Sequence, residues 1–103
     1  MELELDNDGY LQELSSWNSN VATTLAAAEA LDLTEAHWDV LNVLREFHRE
    51  TGVSPSMRPL VKLVRESLGE DKGTSIYLLG LFPGNPAKVA AKIAGLPRPT
   101  NCI

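Results

Sequence analysis

The chain has one cysteine among 103 residues, Cys102, so no disulfide can form within it. It has no apolar run long enough to cross a bilayer, because an uncharged apolar run such as the one near residues 21–28 falls far short of the roughly 20 residues required. The start, MELELDNDG, is acidic and lacks the basic segment and apolar core of a secretory signal. These absences make the reducing cytoplasm the expected compartment, with no membrane partner. Histidine is scarce as well: only His37 and His48, eleven residues or about 16 Å of helix rise apart, with no second ligand at metal spacing. They read as surface or boundary residues, and no metal is expected. No glycine-rich phosphate loop is present, and Ser15–Ser16 lacks a nucleophile-elbow motif. Hydrolase and nucleotide-binding chemistry therefore drop out, and no cofactor is expected. Finally, no acidic side chain follows Asp71. All fourteen Asp and Glu lie at or before it, against five basic residues, and Lys72, Lys88, Lys92 and Arg98 follow without an acid among them. This asymmetry reads either as a solubility pattern or as a polarised surface that steers a partner toward the tail.

The rest of the chain is ordinary for one small globular domain, with 44 % hydrophobic residues and a net charge of −5. ELELD alternates as a strand, NDG is a turn signal, and Tyr10–Leu11 begins a second strand, which together predict an N-terminal β-hairpin. The alanine-rich stretch that follows predicts a helix over about 19–31. Thr34 is the expected N-cap of the next helix, whose Trp38, Leu41 and Leu44, with Val40, Val43 and Phe47, form a broad apolar stripe ending at Gly52. Ser56 opens a further helix, with Leu60, Val61, Val64 and Leu68 on one face and Gly69 as its stop. TSIYLLGLF predicts a short helix closed by Pro83–Gly84, and Asn85 with Pro86 opens a last one that stops at Gly95. The expected class is α+β and mostly α. It is a small helical domain (1–95) with an N-terminal hairpin and a helix-turn-helix-like core, followed by an extended C-terminal arm (96–103).

Two constellations compete for function. Arg58, Lys62 and Arg65 make a basic stripe opposite the apolar face of one helix of the helix-turn-helix-like pair, which raises a DNA-binding regulator. Against it, the region carrying the stripe is net acidic and Glu66 interrupts it, whereas phosphate neutralisation calls for a basic field. The second constellation is the tail, LPRPTNCI. Buried cysteines are common, but a cysteine this close to the end of a Pro-Arg-Pro segment is poorly placed for a core, and an exposed idle thiol is a liability. Pro97 and Pro99 bias Leu96 and Arg98 to extended backbone, so 96–103 would reach about 25 Å at roughly 3.1 Å per residue. Such a semi-rigid arm could set a sulfur inside a partner's cleft. Arg98, with Lys88 and Lys92 on the preceding helix, would favour the thiolate or dock a partner. Gly95, Pro97 and Pro99 would set the arm's exit and stiffness. No base neighbours Cys102 in sequence, so the chemistry left to it is sulfur exchange: thiolate attack on a partner's sulfur, then hand-off.

The segments LTEAHWDVL, SPSMRPLVK, KGTSIYL, LFPGNPAK and KIAGLPRPTNCI, with DNDGYL and Trp17 near the start, resemble the TusE/DsrC family of small sulfur carriers over nearly the whole chain. The resemblance implies a sulfurtransferase that holds a persulfide on Cys102. In the TusE branch, sulfane sulfur comes from a TusBCD-like donor complex and goes to a thiouridylase that modifies the wobble uridine of certain tRNAs, so tRNA is engaged only indirectly. The DsrC branch, which serves dissimilatory sulfur metabolism, has a second cysteine where this chain has Ala91. The single-cysteine, TusE-like role is therefore the expected one, with a DsrC-like role or the DNA-binding regulator as alternatives. The chain departs from the family's usual pattern at Ile76, where an arginine is common, and at Gly80 and Gly84, where more polar or basic residues are. No segment demands a dimer, and a monomer is expected.

Overall fold

The helix opened by Asn85 and Pro86 lies at the centre of the molecule. The computed structural model describes residues 4–99. In it a 3-10 turn (Leu14–Ser16) precedes five α-helices: α1 (Ser19–Ala28), α2 (Glu35–Thr51), α3 (Met57–Leu68), α4 (Ser75–Leu81) and α5 (Pro86–Ile93). α5 packs against each of the other four. Its composition explains why. Ala87, Ala90, Ala91 and Ile93 are buried, and alanine lets neighbouring backbones approach closely on several sides at once. Around it Val21, Ala22, Leu25 and Ala26 of α1 close one side. Val40, Leu41 and Leu44 of α2, Leu60 and Val64 of α3, and Leu78 with Phe82 complete the core.

The helix starts follow local chemistry. Asn18, Thr74 and Asn85 each accept a backbone N–H of the first turn through the side chain, from Val21, Tyr77 and Lys88 at 2.9, 3.1 and 3.2 Å. At α2, Thr34 N–H donates to His37 Nδ1 at 3.1 Å, and the Thr34 hydroxyl lies 2.8 Å from the same nitrogen. His37 Nε2 lies 2.8 Å from the Leu81 carbonyl. A carbonyl can only accept, so Nε2 carries the proton and Nδ1 accepts. His37 is thus buried rather than a surface residue, and it ties the start of α2 to the end of α4, edge-on to Phe82.

Two expectations need correction. The N-terminal β-hairpin is not formed among the described residues, and its first residues lie outside them. One antiparallel bridge, Leu5 to Leu11, is present, flanked by Asp6 N–H to Tyr10 O and Gln12 N–H to Glu4 O, each 2.8 Å. The chain past Leu11 turns into the 3-10 turn instead of continuing an alternating strand, and the Asp6 carboxylate draws the backbone of the turn around itself, accepting from Asp8 and Tyr10 N–H at 2.9 Å. The domain is mostly helical without a sheet among the described residues. The first helix, expected to about residue 31, stops at Ala28, where Ala30 takes a left-handed φ of 59°. Leu31 N–H then reaches back to Ala26 O and Ala30 N–H to Ala27 O, a Schellman closure built without glycine.

Candidate functional site

The segment that leads to Cys102 leaves the body at the C-terminus of α5. Cys102 itself lies outside the described residues. Helix ends leave carbonyls without intrahelical partners, and here each is met in a specific way. Gly95 takes φ +72°, its N–H donates to Lys92 O at 3.1 Å, and Leu96 N–H donates to Ala91 O at 2.9 Å. This is a complete Schellman motif, sealed by buried Leu96. Side chains from three other segments take the next carbonyls. Trp17 Nε1–H donates to Ile93 O at 2.9 Å, Arg45 of α2 to Ala94 O at 2.6 Å, and the Ser54 hydroxyl, in the link between α2 and α3, to Pro97 O at 2.5 Å. The Arg45 guanidinium stacks 3.9 Å over the Trp17 ring, and burial pushes its pKa down from the usual arginine value. Glycine is required at 95 for space as well as for conformation, because a Cβ there would stand 2.3 Å from Trp17 Cδ1.

Beyond this root, Pro97 and Arg98 are exposed and Pro99 is buried. Arg98 pairs with Asp8, and with Asp6 at 3.9 Å, both in the turn before Tyr10. Tyr10 has two cations near its ring, with Lys92 Nζ 5.3 Å and Arg98 Cζ 5.5 Å from the ring centre, and its hydroxyl donates to Lys88 O at 3.4 Å. Lys92 also reaches Glu29 at 3.7 Å. Lys88, Lys92 and Arg98 thus line one surface cleft of about 430 Å³ with Asp8, Tyr10, Asn85 and Val89. The Asp6 carboxyl is held below its usual value, chiefly by the Tyr10 N–H it accepts, with Asp8 N–H, Arg98 and Gly9 N–H adding to the effect and burial opposing it.

The structure therefore brings Lys88, Lys92 and Arg98 together at the foot of the Cys102-bearing segment and commits two of them to acidic partners. Sequence reading counted Trp17 and Ser54 only among the residues of a resemblance and gave neither of them nor Arg45 a role at the site; their partners lie 76, 43 and 49 positions away. A tryptophan stranded in the polar run SSWNSN was the one available signal. Among the described residues, no three His, Cys, Asp or Glu side chains cluster as a metal site. The basic stripe on α3 keeps Arg58 and Lys62 exposed, while Arg65 donates to Gly73 O at 3.1 Å. Ile76, where the chain departs from the pattern it resembles, is 83 % exposed on α4. Ala91 is fully buried.

A solved solution structure, DsrC of Allochromatium vinosum, has the same fold with a TM-score of 0.89 and 46 % sequence identity, covering 98 % of this chain and 90 % of that one. The family profile described as "DsrC like protein" matches residues 1–103. The chain belongs to the DsrC-like family. The "Sulfurtransferase TusE" of Photorhabdus laumondii is 50 % identical over 102 residues, covering 99 % of this chain and 92 % of its own. The "Sulfurtransferase TusE homolog" of Haemophilus influenzae is 48 % identical over 103 residues, covering 100 % and 94 %.

Proposed function

We propose that this protein is a sulfur carrier that works as a sulfurtransferase through Cys102. The observation that carries the reading is the full-length identity of about half with TusE sulfurtransferases, in a chain whose only thiol follows a closely held segment. The covalent step is a thiol exchange. The Cys102 thiolate attacks the outer, sulfane sulfur of a donor persulfide; a new S–S bond forms on Cys102, the donor's S–S bond breaks, and its electron pair leaves with the donor's thiolate. The reverse geometry at an acceptor thiolate returns Cys102 to the thiolate form. No electrons are gained or lost overall, so no oxidant is needed. With a single cysteine, the chain has no internal disulfide to cycle through.

The TusE-like role supplies the finer reading. The donor is a TusBCD-like complex, the acceptor is a thiouridylase acting on the wobble uridine of tRNA, and the carrier works in the cytoplasm as a monomer that meets tRNA only through that enzyme. No helix among the described residues is long and apolar enough to cross a membrane. Arg98, Lys88 and Lys92 serve docking or thiolate support in this reading, and 96–103 acts as the delivering arm.

Intact mass after brief exposure to a cysteine desulfurase and cysteine tests it. Wild type gains one sulfur atom that reductant removes, and Cys102→Ser, still folded, gains none. Equal gain by the variant would refute the role of Cys102.

A further inference from the structure

We propose that Ser54, acting with Arg45 and Trp17, is a positioning residue that sets the direction in which the Cys102-bearing segment leaves the body. This inference rests on Cys102 being the sulfur carrier. The Schellman motif already closes α5, so the helix end needs no help from Ser54. Pro97 is exposed, and water could satisfy its carbonyl. Nevertheless a buried serine from a distant loop, 3 % exposed, donates its hydroxyl to that carbonyl, and among the described residues this is the only hydrogen bond that the hydroxyl makes. Ile93, Ala94 and Pro97 are thereby held from three directions: the segment before α1, α2, and the α2–α3 link. Attachments from three separate segments restrain orientation as well as position.

The lever arm makes this matter. Cys102 stands five positions beyond Pro97, at most about 17 Å of chain. A rotation of roughly 10° at Pro97 can displace the thiol by up to about 3 Å, whereas a misplacement of about 1 Å can cost a positioned reaction on the order of a hundredfold. Arg45 and Trp17 brace each other by stacking, and Gly95 lets the indole lie against the backbone. Ser54 holds the carbonyl of Pro97, and Arg98 just beyond it is tied to Asp8 and Asp6, so Ser54 fixes the backbone where the segment leaves the body.

The test uses the full-length chain as wild type, Ser54→Ala and Ser54→Thr, with a cysteine desulfurase and cysteine as the persulfide source. Ser54→Ala should lower kcat for sulfur uptake about fivefold, the scale of one lost hydrogen bond, with KM little changed. Its melting temperature should move by only a few degrees, and alkylation of Cys102 by iodoacetamide should keep the wild-type rate. Ser54→Thr, which restores the hydroxyl, should recover uptake. Nitroxide labels on Cys102 and on Glu35→Cys give a readout that needs no sulfur transfer, and Ser54→Ala should broaden the distance distribution. An unchanged kcat with an unchanged distribution would overturn the inference. So would a kcat loss matched by slower alkylation, since that would mean altered thiol chemistry rather than aim. If wild type takes up no sulfur, the carrier reading fails, and this inference fails with it. If wild type takes up sulfur and Ser54→Ala does so equally well, only the positioning role fails.

Discussion

Replacing Gly95 by alanine should cost far more than replacing Gly52, although both glycines end helices at nearly the same φ, +72° and +78°. At Gly52 an added Cβ meets nothing within 4 Å, so the cost is that of left-handed backbone alone, about 1 kcal/mol. At Gly95 the same Cβ would lie 2.3, 2.8 and 3.0 Å from Cδ1, Cγ and Cβ of Trp17. No rotation of a methyl relieves that, so the indole must move. Moving it breaks the bond from Nε1 to Ile93 O, worth about 1 kcal/mol, and the Arg45 stack, worth about 1 kcal/mol when partly buried. With the backbone term and some loss of packing, Gly95→Ala should cost about 4 kcal/mol. In a domain of this size that lowers the melting temperature by roughly 15–20 °C or more, against about 5 °C for Gly52→Ala. Urea and thermal unfolding followed by circular dichroism measure both. Equal losses in the two variants would refute the claim that Trp17 is wedged against the backbone at the root of the Cys102-bearing segment.

Two further outcomes follow from the conformations and charges at the chain's turns. Ala30 is exposed and holds φ 59° at the end of α1, so Ala30→Gly should stabilise the fold by about 0.5 kcal/mol once glycine's larger unfolded-state entropy is set against the relieved strain. A drop in urea midpoint would contradict the conformation assigned there. Asp6 has a carboxyl held below its ordinary 3.8 by the Tyr10 N–H, so its contribution to stability is complete above that value and is lost as pH falls through the lower, folded one. Asp6→Asn should therefore flatten the acid limb of a melting-temperature profile below the ordinary carboxylate value, and an unchanged limb would show that Asp6 is not part of it.

Helices were legible in this sequence because their signals are local. Thr34, Asn85 with Pro86, and the glycines at 52, 69 and 95 each act within a turn of where they stand, and the apolar stripe of α2 has a period that can be counted. The hairpin misled because an alternating ELELD followed by NDG satisfies the same local rules, while the outcome depended on whether the chain past Leu11 would continue as a strand. The clamp on α5 was invisible for the opposite reason. Trp17, Arg45 and Ser54 belong to three unrelated stretches, and nothing in any of them marks a carbonyl more than forty positions away as the partner.

The charge asymmetry shows most clearly how folding changes the meaning of a pattern. In sequence, the acids crowd the first 71 residues and the tail end is purely basic, which suggests a positive field around Cys102. In the fold, Asp6 and Asp8 lie against Arg98 and Glu29 lies against Lys92, so acids from the first 29 residues are set on two of the tail's bases. These pairs are partly or largely exposed, and each contributes little to stability. Their larger effect is on the field: the segment that leads to the thiol leaves a locally balanced surface, in which Lys88 keeps its charge without an ion-pair partner among the described residues. Any preference of a partner for this end of the molecule must then come from shape and from where the sulfur is aimed more than from long-range attraction. On the positioning role proposed for Ser54, aim is what the hydrogen bonds to Ile93, Ala94 and Pro97 control.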